Sequence, residues 1–427
     1  MHTTENQNAT PLPRLLSDFT PPAGAIKLDC EDFVVEEIPL YEAAGDGTHT
    51  YFLVEKRGLS TMQAVANLAQ ALHARRMDIG YAGMKDARAV ARQWMSIEHV
   101  EPALIQTLDL PRLRILKVSR HRNKLRLGHL AANHFEIKVR RSDPARLAEL
   151  QDVLAELARR GVPNYFGEQR FGARGDTWRC GRAIVRGELE EVLDLVLGRP
   201  TPQDHGAILR ARQLYDQGNY QAALNAWPGA FRNERRALRT LAKHPNKKKR
   251  AFLAIDSSLR TFYVSAYQSY LFNQAVAARM PTGLHRLLAG DLAWRHQNEA
   301  VFKVEDPELE QPRADAFEIS PSGPLFGYRM SQPEGIPGEI ETQLITNEGL
   351  TQESFRSEKL RVKGVRRPLR FQMTEAAIEL GADGRGPYLG LCFMLPRGCY
   401  ATALLRELFD IPRAIAEESG GTDDSLD

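Results

Sequence analysis

DPARLAELQDVLAELARRG, residues Asp143–Gly161, is the stretch whose reading organises the rest of the chain. Asp143 can accept the free amides of a helix start, Pro144 suits a first helical position because its missing N–H would find no partner there, and Gly161 can take the backbone conformation that stops a helix. Leu147, Leu150, Leu154 and Leu157 then fall on one face. An amphipathic helix is predicted. On its N-terminal side lie short alternating segments, around Gln93 to Ile97, Arg112 to Val118, Lys124 to Leu130 and Phe135 to Val139, which read as strands. A further helix is predicted over Ser60 to Arg76, with Ser60 or Thr61 as its cap and Val65, Leu68, Ala69 and Leu72 as its apolar face. This first region is therefore a mixed α/β unit rather than a regular βαβ array. On the C-terminal side Glu188 to Leu197, Gly206 to Tyr215, Tyr220 to Trp227 and Thr261 to Met280 read as successive helices, the last one aromatic and expected in the core. Proline- and glycine-rich strands and turns follow Met280, including Pro321-Ser322-Gly323-Pro324, and β-forming sequence returns from Leu369.

The 427 residues are 43% hydrophobic and 26% charged, which excludes a disordered or fibrous chain and implies two or three domains. No apolar run approaches the roughly 20 residues of a membrane helix, and Met1 to Leu15 does not read as a secretory signal. Membrane association is not expected. Cys30, Cys180, Cys392 and Cys399 are too scattered for a disulfide framework and imply a reducing compartment. They form no CxxC pair, and the chain has no HExxH, no GxxxxGK[ST] loop and no dinucleotide fingerprint, because the Gly381–Gly386 cluster reads as a turn. Neither metal nor nucleotide cofactor is expected.

The net charge is only +3, but the charge is unevenly spread. Between Leu110 and Phe135 no acidic residue occurs, while Arg112, Arg114, Lys117, Arg120, Arg122, Lys124 and Arg126 recur. Two period-two segments in this run suggest a hairpin with one basic face. Such a face either contacts a polyanion or is simply solvated. Lys247 to Arg250 and Arg361 to Arg370 form two more basic clusters, and the acidic tail after Ala416, expected to be disordered, offsets them.

Gly80-Tyr81 reads as a short strand entering the turn Ala82-Gly83-Met84-Lys85-Asp86, with Asp86 displayed on a loop. Taken alone, that aspartate is a turn or cap residue. A second unit, Asn164-Tyr165-Phe166-Gly167-Glu168-Gln169-Arg170-Phe171-Gly172, opens the helical section. With both units present the chain resembles the TruD family of tRNA pseudouridine synthases, through roughly residues 24 to 410. The A-G-x-K-D loop continues into Ala87-Arg88-Ala89-Val90 and Gln93; Glu31-Asp32-Phe33, Asn133-His134-Phe135, the Ala266–Asn273 stretch and Leu395-Pro396-Arg397-Gly398 match in order. Several long motifs in sequence are far more specific than one. Ala91 departs from the family, which commonly has Thr there.

The resemblance implies an α/β (α+β) fold: a mixed-sheet catalytic domain from residues 1–162 and 370–427, interrupted by an inserted α/β TRUD domain at 163–369. It implies an isomerase that breaks the uridine N-glycosidic bond, turns the base and rejoins it through C5, with position 13 of tRNA as the expected target and the cytoplasm as the expected location; a non-catalytic RNA-binding or RNA-folding protein on the same scaffold, and the same chemistry on other RNAs, are the alternatives. No cofactor and no obligate protein partner are implied. The family aspartate maps onto Asp86, as nucleophile or as base. Lys27 matches the lysine that keeps it charged. Asn133 and Phe135 match the pair that read and stack the uracil, and Tyr400 stands where many members have Phe. Phe135 also alternates with Ile137 and Val139 and reads equally as core. Phosphate contacts are expected from Arg170, Arg174, Arg122 and Lys124, all of which are also ordinary surface cations.

Overall fold

The computed structural model describes residues 12–356 and 362–412. The acidic tail after Ala416 and Arg361 lie outside the described residues. The chain divides into two compact units, one built from Arg14–Pro163 with Arg370–Pro412, the other from Asn164–Leu369. Both mix helices and sheet, in keeping with the expected α/β class.

The first unit is organised on an eight-stranded sheet. Its early strands are β1 (Phe33–Pro39), β2 (His49–Arg57), β3 (Gly80–Tyr81), β4 (Val90–Glu98), β5 (Leu113–His121) and β6 (Leu130–Val139). The hairpin Thr374–Asp383/Gly386–Pro396 completes it beside β6, turning through the Gly381–Gly386 cluster. From there the order runs β6, β1, β4, β2, β5, with β3 on β4. The β1–β4 pair is parallel and the other pairs are antiparallel. The helix Thr61–Ala71 starts on a capping box between Ser60 and Gln63 and buries Val65, Leu68 and Ala69 against β2 and β4 residues Phe52, Val54 and Met95. The helix Leu147–Arg160 is preceded by a short turn of helix at Pro144–Arg146, is capped by Asp143 on the amide of Ala145, and ends at Gly161 with φ 85°.

The basic hairpin expected between Arg112 and Leu127 does not form. β5 pairs with β2, and residues 124–127 are not a strand. Leu125 is instead drawn into a core with Tyr51, Ala82 and Leu130. Its amide goes to the Ser96 hydroxyl, and the amide of Gly128 to the Ala82 carbonyl. Those two bonds satisfy polar groups that a strand ladder would otherwise have claimed. Nor is the run unpaired, because Arg120 meets Glu101 and Arg122 meets Asp46, acids contributed by distant segments.

In the second unit the expected helices appear as Leu189–Leu197, Gly206–Asp216, Tyr220–Ala226 and Ser257–Arg279. The last is the core helix, with Tyr263, Tyr267 and Phe272 buried. Helix Thr177–Arg186 packs close against it because residue 181 is glycine: a Cβ there would lie 2.0 Å from the Tyr263 carbonyl oxygen. The proline- and glycine-rich region holds a four-stranded sheet in the order Val365–Pro368, Ile319–Leu325, Leu292–Arg295, Val301–Lys303. It also holds two helices that the sequence reading passed over, Pro307–Asp315 and Gly335–Asn347.

Candidate active site

Strand alternation sends Phe33, Val35 and Glu37 of β1 to the inside of the sheet, and β2 does the same with Phe52, Val54 and Lys56. In each case an apolar stripe ends in a charge. The β1–β6 register sets Val35 opposite Phe135 and Glu37 opposite Asn133. Glu37 therefore sits beside the residues expected to hold the base, and Lys56 lies further along the same layer, on β2.

The loop from Ala82 to Ala89 between β3 and β4 is fastened to this layer at several points. The Gly83 carbonyl accepts from Gln93 Nε2 at 3.2 Å, and the amide of Lys85 donates to Thr61 Oγ1 at 2.8 Å, itself bonded to Gln93. Lys56 Nζ donates to the Asp86 carbonyl at 2.7 Å and to that of Leu59 at 2.5 Å. Burial pushes the Lys56 ammonium down to about 8; the Asp86 and Cys30 charges oppose the fall, while Lys85 and Lys27 add to it. With its backbone held from below, Asp86 turns its carboxylate outward, 37% exposed, and Oδ2 lies 3.0 Å from Lys27 Nζ. Lys27 itself sits at φ 56°, with its ammonium 4.1 Å from the centre of the Phe33 ring.

Aromatic contacts continue from there. Phe33 meets Phe135 edge-on at 5.9 Å, and Phe135 stacks on Phe393 of the neighbouring strand at 5.1 Å. Phe135 is thus buried core and, through Phe33, a neighbour of the Lys27 ammonium. Lys85 Nζ donates to Asn133 Oδ1 at 2.5 Å and lies 3.0 Å from Glu37 Oε2. Burial raises the Glu37 carboxyl above its usual range, opposed by Lys85 and by the amide of Trp94. Tyr400 follows the end of strand Gly386–Pro396, whose Leu395 pairs with Asn133, and caps helix Ala401–Leu408.

The structure therefore gathers Lys27, Asp86, Asn133 and Phe135, and adds Lys56, Lys85 and Glu37. The signal for two of the additions was legible: a lysine and a glutamate each occupied an inward position of an alternating strand. Arg122 and Lys124 belong to the same unit, Arg122 forming a two-pronged pair with Asp46 at 2.9 Å and Lys124 donating to the Met77 carbonyl. Arg170 and Arg174 belong to the other unit. Arg170 donates to Ser269 and Ser265 of the core helix, and Arg174 pairs with Asp176 at 3.0 Å and donates to the carbonyls of Leu195 and Arg199. Among the described residues, no group of three or more His, Cys, Asp or Glu side chains could hold a metal ion.

An outward carboxylate paired with a lysine, next to a phenyl face and a carboxamide, can attack or deprotonate a sugar while a planar base is held beside it. Comparison with known proteins places the chain among tRNA pseudouridine synthases. The family model for tRNA pseudouridine synthase D (TruD) matches residues 13–408. The tRNA pseudouridine synthase D of Geobacter metallireducens is 47% identical over 386 residues, 90% of this chain and 94% of its own length. That of Geobacter sulfurreducens is 43% identical over 399 residues, 93% and 97% of the two chains. A crystal structure from Methanosarcina mazei described as tRNA pseudouridine synthase D superposes with a TM-score of 0.81 at 30% identity, covering 93% of this chain and 95% of that one. The chain belongs to the tRNA pseudouridine synthase D (TruD) family.

Proposed function

We propose that this protein isomerises uridine to pseudouridine in tRNA, at position 13, working in the cytoplasm without a cofactor. Asp86 carries the reaction. In outline the N1–C1′ bond breaks, the uracil turns, and C5 bonds to C1′; the proton on C5 leaves and N1 ends protonated. The carboxylate either attacks C1′ or removes a sugar proton as the base departs. Lys27 pairs with it, Phe135 and Tyr400 flank the extruded base, and Asn133 bonds its polar edge. Arg122, Lys124 and Arg170 contribute phosphate contacts, so RNA affinity falls steeply with salt. Arg174, committed to Asp176 and two carbonyls, orders the loop that carries Arg170.

One observation supports this reading above the others: the Lys27–Asp86 ion pair at 3.0 Å, on a loop pinned from below and beside Asn133 through Lys85. The test is to incubate wild type and Asp86→Asn with unmodified tRNA transcripts and map pseudouridine at single-nucleotide resolution. Conversion at position 13 by wild type alone is expected. Tight, salt-sensitive binding without conversion at any site would instead make the protein a non-catalytic RNA binder, and conversion elsewhere would move the target.

A further inference from the structure

A buried ion pair is a poor way to add stability, since desolvating both charges cancels most of their attraction and apolar residues would pack as well. The Lys85–Glu37 pair is buried on both sides, with side chains 5% and 1% exposed. What such a pair supplies that an apolar pair does not is direction. Glu37 Oε1 takes the amide of Trp94 at 3.3 Å while Oε2 faces Lys85 Nζ, so the carboxylate is fixed to the sheet and the ammonium to the carboxylate. The same ammonium donates to Asn133 Oδ1. An ammonium has protons and no lone pair, so only the oxygen of the carboxamide can face it. Turning the amide over would set N–H against N–H. Nδ2 therefore points away from Lys85, and among the described residues it donates to no other group.

We infer that Lys85, gripped by Glu37, is a positioning residue that locks the Asn133 carboxamide so that its NH2 group alone faces the uracil. This rests on the synthase reading above and extends it to how the base is read. The chemistry of the turn makes the lock useful. A half-turn of uracil about its N3–C6 line exchanges N1 with C5 and C2 with C4, so O2 and O4 trade places and N3–H stays where it was. A fixed donor that holds one carbonyl before the N1–C1′ bond breaks meets the other carbonyl when C5 bonds to C1′. Cytosine cannot satisfy it twice: in one of the two orientations its 4-amino group, also a donor, faces Nδ2.

The test is a double-mutant cycle on single-turnover conversion of a tRNA transcript at saturating enzyme, using wild type, Lys85→Met, Asn133→Ala and the double variant. Each single change is expected to slow conversion on the order of 10- to 100-fold, the effect of one unmade bond to a buried polar group. The double variant is expected to be no slower than Asn133→Ala, because Lys85 acts through Asn133. Losses that multiply would overturn the inference. Asn133→Asp covers the case in which Lys85→Met does not fold: Lys85 keeps an anionic partner, so melting and RNA affinity are retained, yet conversion falls at least as far as in Asn133→Ala. Wild-type conversion by Asn133→Asp would overturn the inference as well. If wild type converts and Asp86→Asn does not, but Asn133→Ala is unimpaired, this inference fails and the synthase reading stands. If wild type converts nothing, the synthase reading itself fails.

Discussion

Lys56 is the side chain whose perturbation separates catalysis from stability. Its ammonium is 0% exposed and holds the Asp86 carbonyl at 2.7 Å. Burial brings it from 10.5 down to about 8, a difference of about 3 kcal/mol against the charged form. The folded value lies below the unfolded one, so between about pH 8 and about 10.5 the unfolded chain binds more protons. This lysine's contribution to stability therefore rises with pH across that window, by up to about 3 kcal/mol. Turnover should move the other way. About nine-tenths of the molecules carry the ammonium at pH 7 and about one-tenth at pH 9, and the neutral amine is a weaker anchor for the loop. A displacement of about 1 Å at a catalytic group costs on the order of 100-fold in rate. Single-turnover rates from about pH 6.5 to about 9.5, with thermal melts of wild type and Lys56→Met over the same range, test both halves. The expected pattern is a wild-type rate that falls with an apparent pKa of about 8, while the stability of wild type relative to Lys56→Met climbs. Lys56→Met should be slower by about 10- to 100-fold at pH 7 and lack that limb. A wild-type rate flat to about pH 9.5, or full activity in Lys56→Met, would refute the reasoning.

Three further outcomes follow from the geometry. Lys27→Met should slow turnover by on the order of 10-fold yet shift the denaturant midpoint little, because the pair with Asp86 is partly exposed and such pairs contribute about 1 kcal/mol or less; a large loss of stability would point to a structural role instead. Arg140→Met strands Asp32, which is buried and bonded to it at 2.8 Å, and should cost about 3–5 kcal/mol in a urea titration; an unchanged midpoint would contradict it. Lys124→Ala should weaken tRNA binding equally across sequences and lower the slope of log affinity against log salt by about 1, whereas an unchanged slope would show that this lysine touches no phosphate.

Legibility in the sequence followed the range of the interaction involved. Helix Leu147–Arg160 was readable because every signal for it is local: a capping aspartate, an N-terminal proline, a leucine stripe and a terminal glycine. Residues 124–127 misled because period-two alternation states which residues point inward, not what the backbone bonds to, and here a serine hydroxyl from β4 took the amide. Helix Arg232–Lys243 passed unnoticed because its apolar face is only Ala237, Leu238 and Leu241 amid charge. Helix Gly335–Asn347 was masked by Pro337 and Gly338 in its first turn, where a proline costs no internal bond. At the site, Lys27 and Asp86 stand far apart in the chain, and only resemblance to a family joined them. Glu37 and Lys56 were visible as charges at inward strand positions, but their partners were set by register and by a loop that no local pattern specifies.

Strand Gly386–Pro396 pairs with β6 along eight positions from Val139 to Ala132, and its Phe393 supplies the ring behind Phe135. A ribosome must translate some 250 residues between the two strands before they can meet, as the His134–Cys392 contact spans 258 positions. Until then one edge of β6 has its N–H and C=O groups unclaimed, a template for pairing with any extended chain nearby. The sheet is thus a lock whose final tumbler is made last: nascent molecules are most prone to aggregate during that interval, and the ring behind Phe135 is in place only once strand Gly386–Pro396 has been translated.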